Sequence, residues 1–176
     1  MPDLEAAAAR VVAGDAQAFG DIVEGTSQGL VRLAARLVGS VPDAEDVVQD
    51  AYVSAYRALV AGRFDARSSV KTWLYRIVTH RAIDALRSTA RRPVGTDQLD
   101  EMAVAPATTP EAHLALVELS QWLEVLPPEQ RAAVVLHSVQ GFSSHETAEI
   151  LGCSEGAVEQ RLVRARATLR SRRGAA

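Results

Sequence analysis

The sequence predicts an all-α fold: two small helical domains joined by a flexible linker, the C-terminal one a helix-turn-helix. Three observations point there. Alanine, leucine and arginine dominate, β-branched runs are short, and no stretch alternates apolar and polar residues for long, so helical periodicity prevails outside the middle. Residues 92–110, RPVGTDQLDEMAVAPATTP, hold three prolines, small residues and only acidic charges beyond the first position, the composition of a linker. Near the C-terminus, ETAEILGCSEGAVEQRLVRARATLR breaks one helical pattern at Gly152 and at once begins another.

Taken in order, Ala16 to about Glu24 predicts a first helix and Gln28 to Val38 a second, with Leu30, Leu33, Ala34 and Leu37 at helical spacing. GSVPD at 39–43 interrupts the chain, and Pro42 and Asp43 suit a helix start. The next helix, Asp43 to Leu59, places Val48, Tyr52, Ala55 and Leu59 on a core stripe, with Asp46, Gln49, Asp50, Val53 and Arg57 opposite. Taken alone, such an acidic face is a solvated one. AGRFDARSS at 61–69, with Arg63 and Phe64, is a loop, after which Ser68 or Ser69 caps a long helix reaching to about Arg91.

That helix has two faces. Leu74, Ile77, Val78, Ala82 and Ala85 can meet a core, while Arg76, His80, Asp84, Arg87 and Arg91 recur every three or four residues along the other side. Asp84 can orient Arg87 or His80, leaving a mostly positive stripe, extended by Lys71, that suits a nucleic-acid backbone. Trp73 and Tyr75 add rings that stack on unpaired bases, or, for Trp73, that fill a core.

In the C-terminal block LPPEQ at 126–130 starts a helix through proline in its first turn, and GFSSHE at 141–146 starts another, with Ser144 opening HETAEILG. Gly152 ends that helix where a left-handed residue is needed, and Ser154 is a good N-cap for the next. Ala157, Val158, Leu162, Ala165 and Leu169 form its apolar stripe. A short helix, a glycine turn and a second helix make a helix-turn-helix, whose second helix enters the major groove. Ser154, Glu155, Ala157, Glu159 and Gln160 would face bases, and Arg161, Arg164 and Arg166 phosphates.

Charge distribution supports this division. The chain holds 19 basic and 22 acidic residues, yet 161–173 carries six arginines and no acid, whereas 93–118 carries Asp97, Asp100, Glu101, Glu111 and Glu118 without lysine or arginine. A blander account of the arginines is that they complement the helix dipole.

Other classes are disfavoured. The composition, 48% hydrophobic and 23% charged, is that of a soluble globular chain, not of a disordered tail. A single cysteine, Cys153, allows no internal disulfide and suggests a reducing compartment. There is no signal-peptide pattern and no apolar run of the roughly 20 residues that span a bilayer, which predicts a cytoplasmic protein with no membrane insertion. His145 and Glu146 resemble the start of a zinc-protease motif, but position 149 is Glu, and His80, His113, His137 and His145 lack ligand spacing. Without a phosphate loop or nucleophile–base pair, no enzyme, catalytic residue, metal or cofactor is expected.

Two segments carry a family resemblance. DAEDVVQDAYVSAYRAL, followed by the loop and KTWLYRIVTHRAIDALRSTARR, resembles the second conserved region of a bacterial sigma factor. LPPEQRAAVVLHSVQGFSSHETAEILGCSEGAVEQRLVRARATLR resembles the fourth. With these two regions and a short linker, the chain resembles an extracytoplasmic-function (ECF) sigma factor, which directs promoter-specific transcription initiation. The resemblance implies a region 2-like domain over 1–92, an acidic linker over 93–114 and a region 4-like domain over 115–176.

Residue roles implied by the resemblance follow. Asp46, Gln49, Asp50 and Val53 would contact the β′ clamp helices of core RNA polymerase. Arg63, Phe64, Lys71, Trp73, Arg76, His80, Arg87 and Arg91 would bind and open the minus-ten element, with capture of an extruded base offsetting its unstacking. The C-terminal helix-turn-helix would read the minus-thirty-five element and carry the β-flap contact. The linker would thread toward the polymerase cleft, and an anti-sigma factor would sequester the protein. His80 and Glu159 depart from the family pattern: Glu159 could accept from a cytosine amino group or pair with Arg161 or Arg164. The rival reading is a stand-alone, dimeric helix-turn-helix regulator.

Overall fold

A computed structural model describes residues 2–89 and 121–173; the expected linker at 93–114 and Arg91 lie outside them. Helix α1 spans Leu4–Val12, and a 3-10 turn at Ala16–Ala18 leads into α2, Phe19–Val38. Helix α3 spans Val41–Val60 and α4 Val70–Thr89. Residues 121–124 are helical. Helix α5, Pro128–Val134, runs into a π-helical turn at Val135–Val139, and α6, Ser144–Leu151, and α7, Glu155–Arg173, complete the chain. All regular structure among the described residues is helical.

Two helices differ from the sequence expectation. No helix is expected before Ala16, yet α1 forms. The Asp3 carboxylate caps it by accepting from the Ala6 amide at 3.0 Å, and Ala7, Ala8 and Val11 are buried. The expected break between Glu24 and Gln28 is absent, and α2 is continuous. Gly25, Thr26 and Ser27 are weak helix formers, but tertiary packing overrides that preference. The buried Thr26 hydroxyl bonds the Ile22 carbonyl at 2.6 Å and the Tyr52 hydroxyl at 2.7 Å. A Cβ on Gly25 would lie 2.9 Å from Pro2, and one on Gly29 would lie 2.7 Å from the Tyr75 hydroxyl. Both glycines mark close approach of neighbouring segments.

The remaining starts and stops follow local chemistry. Gly39, at φ 81°, ends α2, and the Ser40 hydroxyl accepts from the Asp43 amide at 3.4 Å, so α3 starts two residues before Asp43. Ser69 caps α4, accepting from the Thr72 amide at 3.0 Å. The cap of α6 is Ser143, not Ser144. Only Ser143 has a glutamate three positions on, and it forms a reciprocal capping box with Glu146. Gly152 takes the left-handed conformation at φ 63°, and the Ser154 hydroxyl accepts from the Ala157 amide at 3.2 Å.

Helices α2, α3 and α4 build the N-terminal core around Ile22, Leu30, Leu33, Ala55, Leu74 and Val78. Leu123, Leu126, Leu136 and Ile150 extend that core into the C-terminal half, which packs on α4 and the end of α2. Ala133, Ala148, Val158 and Leu162 form a separate small cluster that holds α6 against α7. The described halves are packed together.

Candidate nucleic-acid and partner interfaces

On α7 the apolar stripe faces inward: Val158, Leu162 and Ala165 are buried, while Ala157 and Leu169 are half-buried. Ser154, Glu155, Glu159, Gln160, Arg164 and Arg166 are exposed, as a reading surface requires. Glu159, Gln160 and Arg164 line one shallow depression with Val163, which is 62% exposed. Val163 escapes sequence reasoning because it sits off the stripe. Glu159 makes no ion pair among the described residues, so its pairing with Arg161 or Arg164 is not realised. Arg161 also departs from expectation: half-buried, it donates to Cys153 Sγ at 3.1 Å and is turned back toward the glycine turn. His145 at the start of α6 bonds the Glu155 carboxylate at 3.1 Å, tying the two helices at the turn's outer edge. That carboxylate is the main reason the imidazole pKa is raised, with Glu149 and Glu146 adding to the effect.

Two arginines of the α4 stripe are engaged by the other half, and Arg91 lies outside the described residues. Arg76 Nε donates to the Glu149 carbonyl at 2.9 Å, and Arg87 pairs with Glu129 while lying 3.6 Å from Asp84. Tyr75 is buried, its ring 4.9 Å from that of Phe142. Lys71 stands over both rings, at 5.8 and 5.4 Å. His80 is exposed and faces Gly152, where a Cβ would lie 4.0 Å from its Cε1. His80, Asp84, Arg87, Glu129 and Arg161 share a polar cleft between the halves. At the loop, Arg63 is exposed, and the Phe64 ring tilts against Trp73 at 4.8 Å. Trp73 is half-buried, packed against the edge of the core beside Phe64.

The third surface is on α3. Asp46, Gln49 and Asp50 are exposed, and Val53 beside them is 48% exposed. Arg81 of α4 was not anticipated here: it lies 3.5 Å from Asp50 and donates to the Ser54 hydroxyl at 2.5 Å. Next to this face Val38, Val47 and Leu86 line a groove with Asp43 and Asp46 at its rim.

Known proteins resemble this chain in sequence and in fold. The family pattern Sigma-70 region 2 matches residues 22–92, and Sigma-70, region 4 matches 116–169. The chain belongs to the extracytoplasmic-function sigma factors. The ECF RNA polymerase sigma factor SigM of Mycobacterium tuberculosis is 40% identical over 167 residues, covering 95% of this chain and 82% of SigM. The ECF sigma factor SigW of Bacillus subtilis is 34% identical, covering 92% and 91%. Among solved structures, CnrH in complex with the cytosolic domain of CnrY superposes with a TM-score of 0.71 at 31% identity, covering 96% of each chain. Sigma factors are transcription initiation factors, which serve RNA polymerase and promoter DNA without being enzymes themselves. The reading as a stand-alone regulator is not favoured, since both sigma regions match, in order. No helix among the described residues of this sigma factor is long and apolar enough to cross a membrane.

Proposed function

We propose that this sigma factor divides its work as its three surfaces suggest. Within the 1–92 domain, Asp46, Gln49, Asp50 and Val53 of α3 hold the β′ clamp helices. Arg63, Phe64, Lys71, Trp73, Arg76, His80, Arg87 and Arg91 bind and open the minus-ten element. Within 115–176, Ser154, Glu155, Ala157, Glu159, Gln160, Arg164 and Arg166 read the minus-thirty-five element, and the same half takes the β flap. Arg161 supports the turn and reaches phosphate only by leaving Cys153. The linker at 93–114 joins the two grips.

The observation that carries the reading is the occupied stripe. Arg76 gives its Nε–H to the Glu149 carbonyl and Arg87 pairs with Glu129, so minus-ten binding competes with the packed arrangement for these two side chains. The packed arrangement is thus a resting form, and core polymerase separates the halves. A partner protein of anti-sigma type would hold the resting form; the CnrH structure contains the cytosolic domain of CnrY.

Run-off transcription with core polymerase on a genomic library tests the function and recovers the promoter. Core pull-down tests the α3 surface. Transcription without dependence on this protein, or core binding unchanged by Asp50→Lys and Gln49→Ala, would sink the respective assignments.

A further inference from the structure

Helix α1 lies before the Sigma-70 region 2 match at 22–92, yet it reaches the junction where loop 61–69, with the proposed minus-ten residues Arg63 and Phe64, enters α4. Glu5 makes the contact: its Oε1 accepts from the amide of Val70, the first residue of α4, at 3.2 Å. First-turn amides have no partner within their own helix. Ser69 satisfies Thr72, and Glu5 satisfies the fully buried Val70 from 65 positions away. A carboxylate suits that position, because it meets the positive end of the helix dipole with a charge-assisted bond.

The carboxylate is held in place by the way α1 is seated. Pro2 and Leu4 press into the space that a side chain at Gly25 would fill, coming within 2.9 and 3.0 Å of its ideal Cβ. Arg10 at the other end of α1 bridges Asp15 at 2.6 Å and Asp21 at 3.1 Å.

The loop is constrained as well. At its start the Arg63 amide donates to the Ala58 carbonyl at 2.8 Å. In its middle Ala66 holds φ 53°, a left-handed conformation that L-residues with a side chain adopt against a steric penalty. The Asp65 carboxylate braces it by accepting from the Arg67 amide at 3.2 Å. Phe64 then rests on Trp73, one turn into α4. A segment strained in its middle and fastened at both ends is pre-shaped, so it need not be ordered when a base arrives.

We infer that Glu5 is a positioning residue for promoter opening: from α1 it fixes the junction of loop 61–69 with α4, and so the Phe64–Trp73 arrangement that receives an extruded base. This rests on the minus-ten assignment above.

The test is stopped-flow opening by the full chain with core polymerase, on the recovered promoter carrying 2-aminopurine in its minus-ten element. Glu5→Ala should slow opening about fivefold at unchanged core affinity, the effect of one lost charge-assisted hydrogen bond at a step that depends on it. Glu5→Gln keeps the acceptor but loses the charge, so it should slow opening less than Glu5→Ala does. Ala66→Gly guards against a folding defect. It relieves the left-handed strain, so it should slow opening while its melting temperature holds or rises. Opening at the parental rate in Glu5→Ala or Ala66→Gly, or equal slowing by Glu5→Gln and Glu5→Ala, overturns the inference. Trp73→Ala separates the two levels: if it is slow while Glu5→Ala is not, the inference alone falls. If Trp73→Ala also opens normally, the minus-ten reading falls with it.

Discussion

Arg131 joins the halves with a single buried side chain. It is 7% exposed and donates to the carbonyls of Leu37 at 2.5 Å and Glu124 at 2.9 Å, with Leu126 at 3.5 Å. The Leu37 carbonyl belongs to the last turn of α2, where carbonyls lack partners and the dipole favours a cation. Burial lowers the guanidinium pKa, and Glu124 partly offsets this. Removing the guanidinium strands two buried carbonyls and one partly buried one, so Arg131→Ala should cost about 2–4 kcal/mol in chemical denaturation. A cost near zero would mean that water already serves those carbonyls. His145 supplies a residue-scale prediction in pH. Its pKa is raised from 6.5 chiefly by the Glu155 hydrogen bond, so the bond's contribution is fully present below the ordinary value and is lost as pH rises through the raised one. An NMR titration of the imidazole should show a midpoint above 6.5 that falls back toward it in Glu155→Gln. Neither role could be read from the sequence. Arg131 reaches a carbonyl 94 positions away, and the His145–Glu155 pair forms only because Gly152 folds α7 back past α6.

Among the elements, helix faces were legible and helix extents were not. The stripes of α3, α4 and α7 follow from 3.6-residue periodicity: Val48, Tyr52, Leu74, Val78 and Val158 are buried, whereas Ile77, Ala85 and Leu169 are half-buried. The alanines of α1 give no apolar contrast to mark a face, so the helix that holds Glu5 was missed. In α2 the sequence places weak helix formers where the expected break fell, but these residues are small for packing reasons. That explanation has a direct test in two glycines of the same helix. A methyl at Gly29 would meet the Tyr75 hydroxyl at 2.7 Å, and the Tyr75 ring is held by Phe142. Gly29→Ala should therefore destabilise by about 1–2 kcal/mol. Gly20 has nothing within 4 Å of its ideal Cβ, so Gly20→Ala should stabilise by up to about 1 kcal/mol through helix propensity. Thermal melts that move both variants the same way would refute the packing account of α2.

At the scale of the whole molecule, the overall acidity of the chain conceals a division of labour, with cations on α4 and α7 and carboxylates on α3. The sequence showed each surface but not that α4's cations are engaged across the seam, because Arg76 and Arg87 find partners 73 and 42 positions away. The seam is suited to giving way. Its ion pair, Arg87 with Glu129, is partly solvated and so worth little, on the order of 1 kcal/mol or less. Thr79 of α4 and Thr147 of α6, from the two helices that meet there, bury hydroxyls without partners among the described residues, and each such group costs roughly 1–3 kcal/mol. What holds the halves is apolar contact, with Phe142 against Tyr75, together with the buried bond from Arg131 to the Leu37 carbonyl. Phe142→Arg removes that ring contact and sets a second cation beside Lys71, so it should separate the halves without touching the proposed DNA-reading residues of α7. Small-angle scattering of the free protein should then give a larger radius of gyration. Fluorescence anisotropy should show tighter binding of a minus-ten strand, because Arg76 and Arg87 are released. An enlarged particle that binds the strand no better would mean that these arginines are not what the packed form withholds.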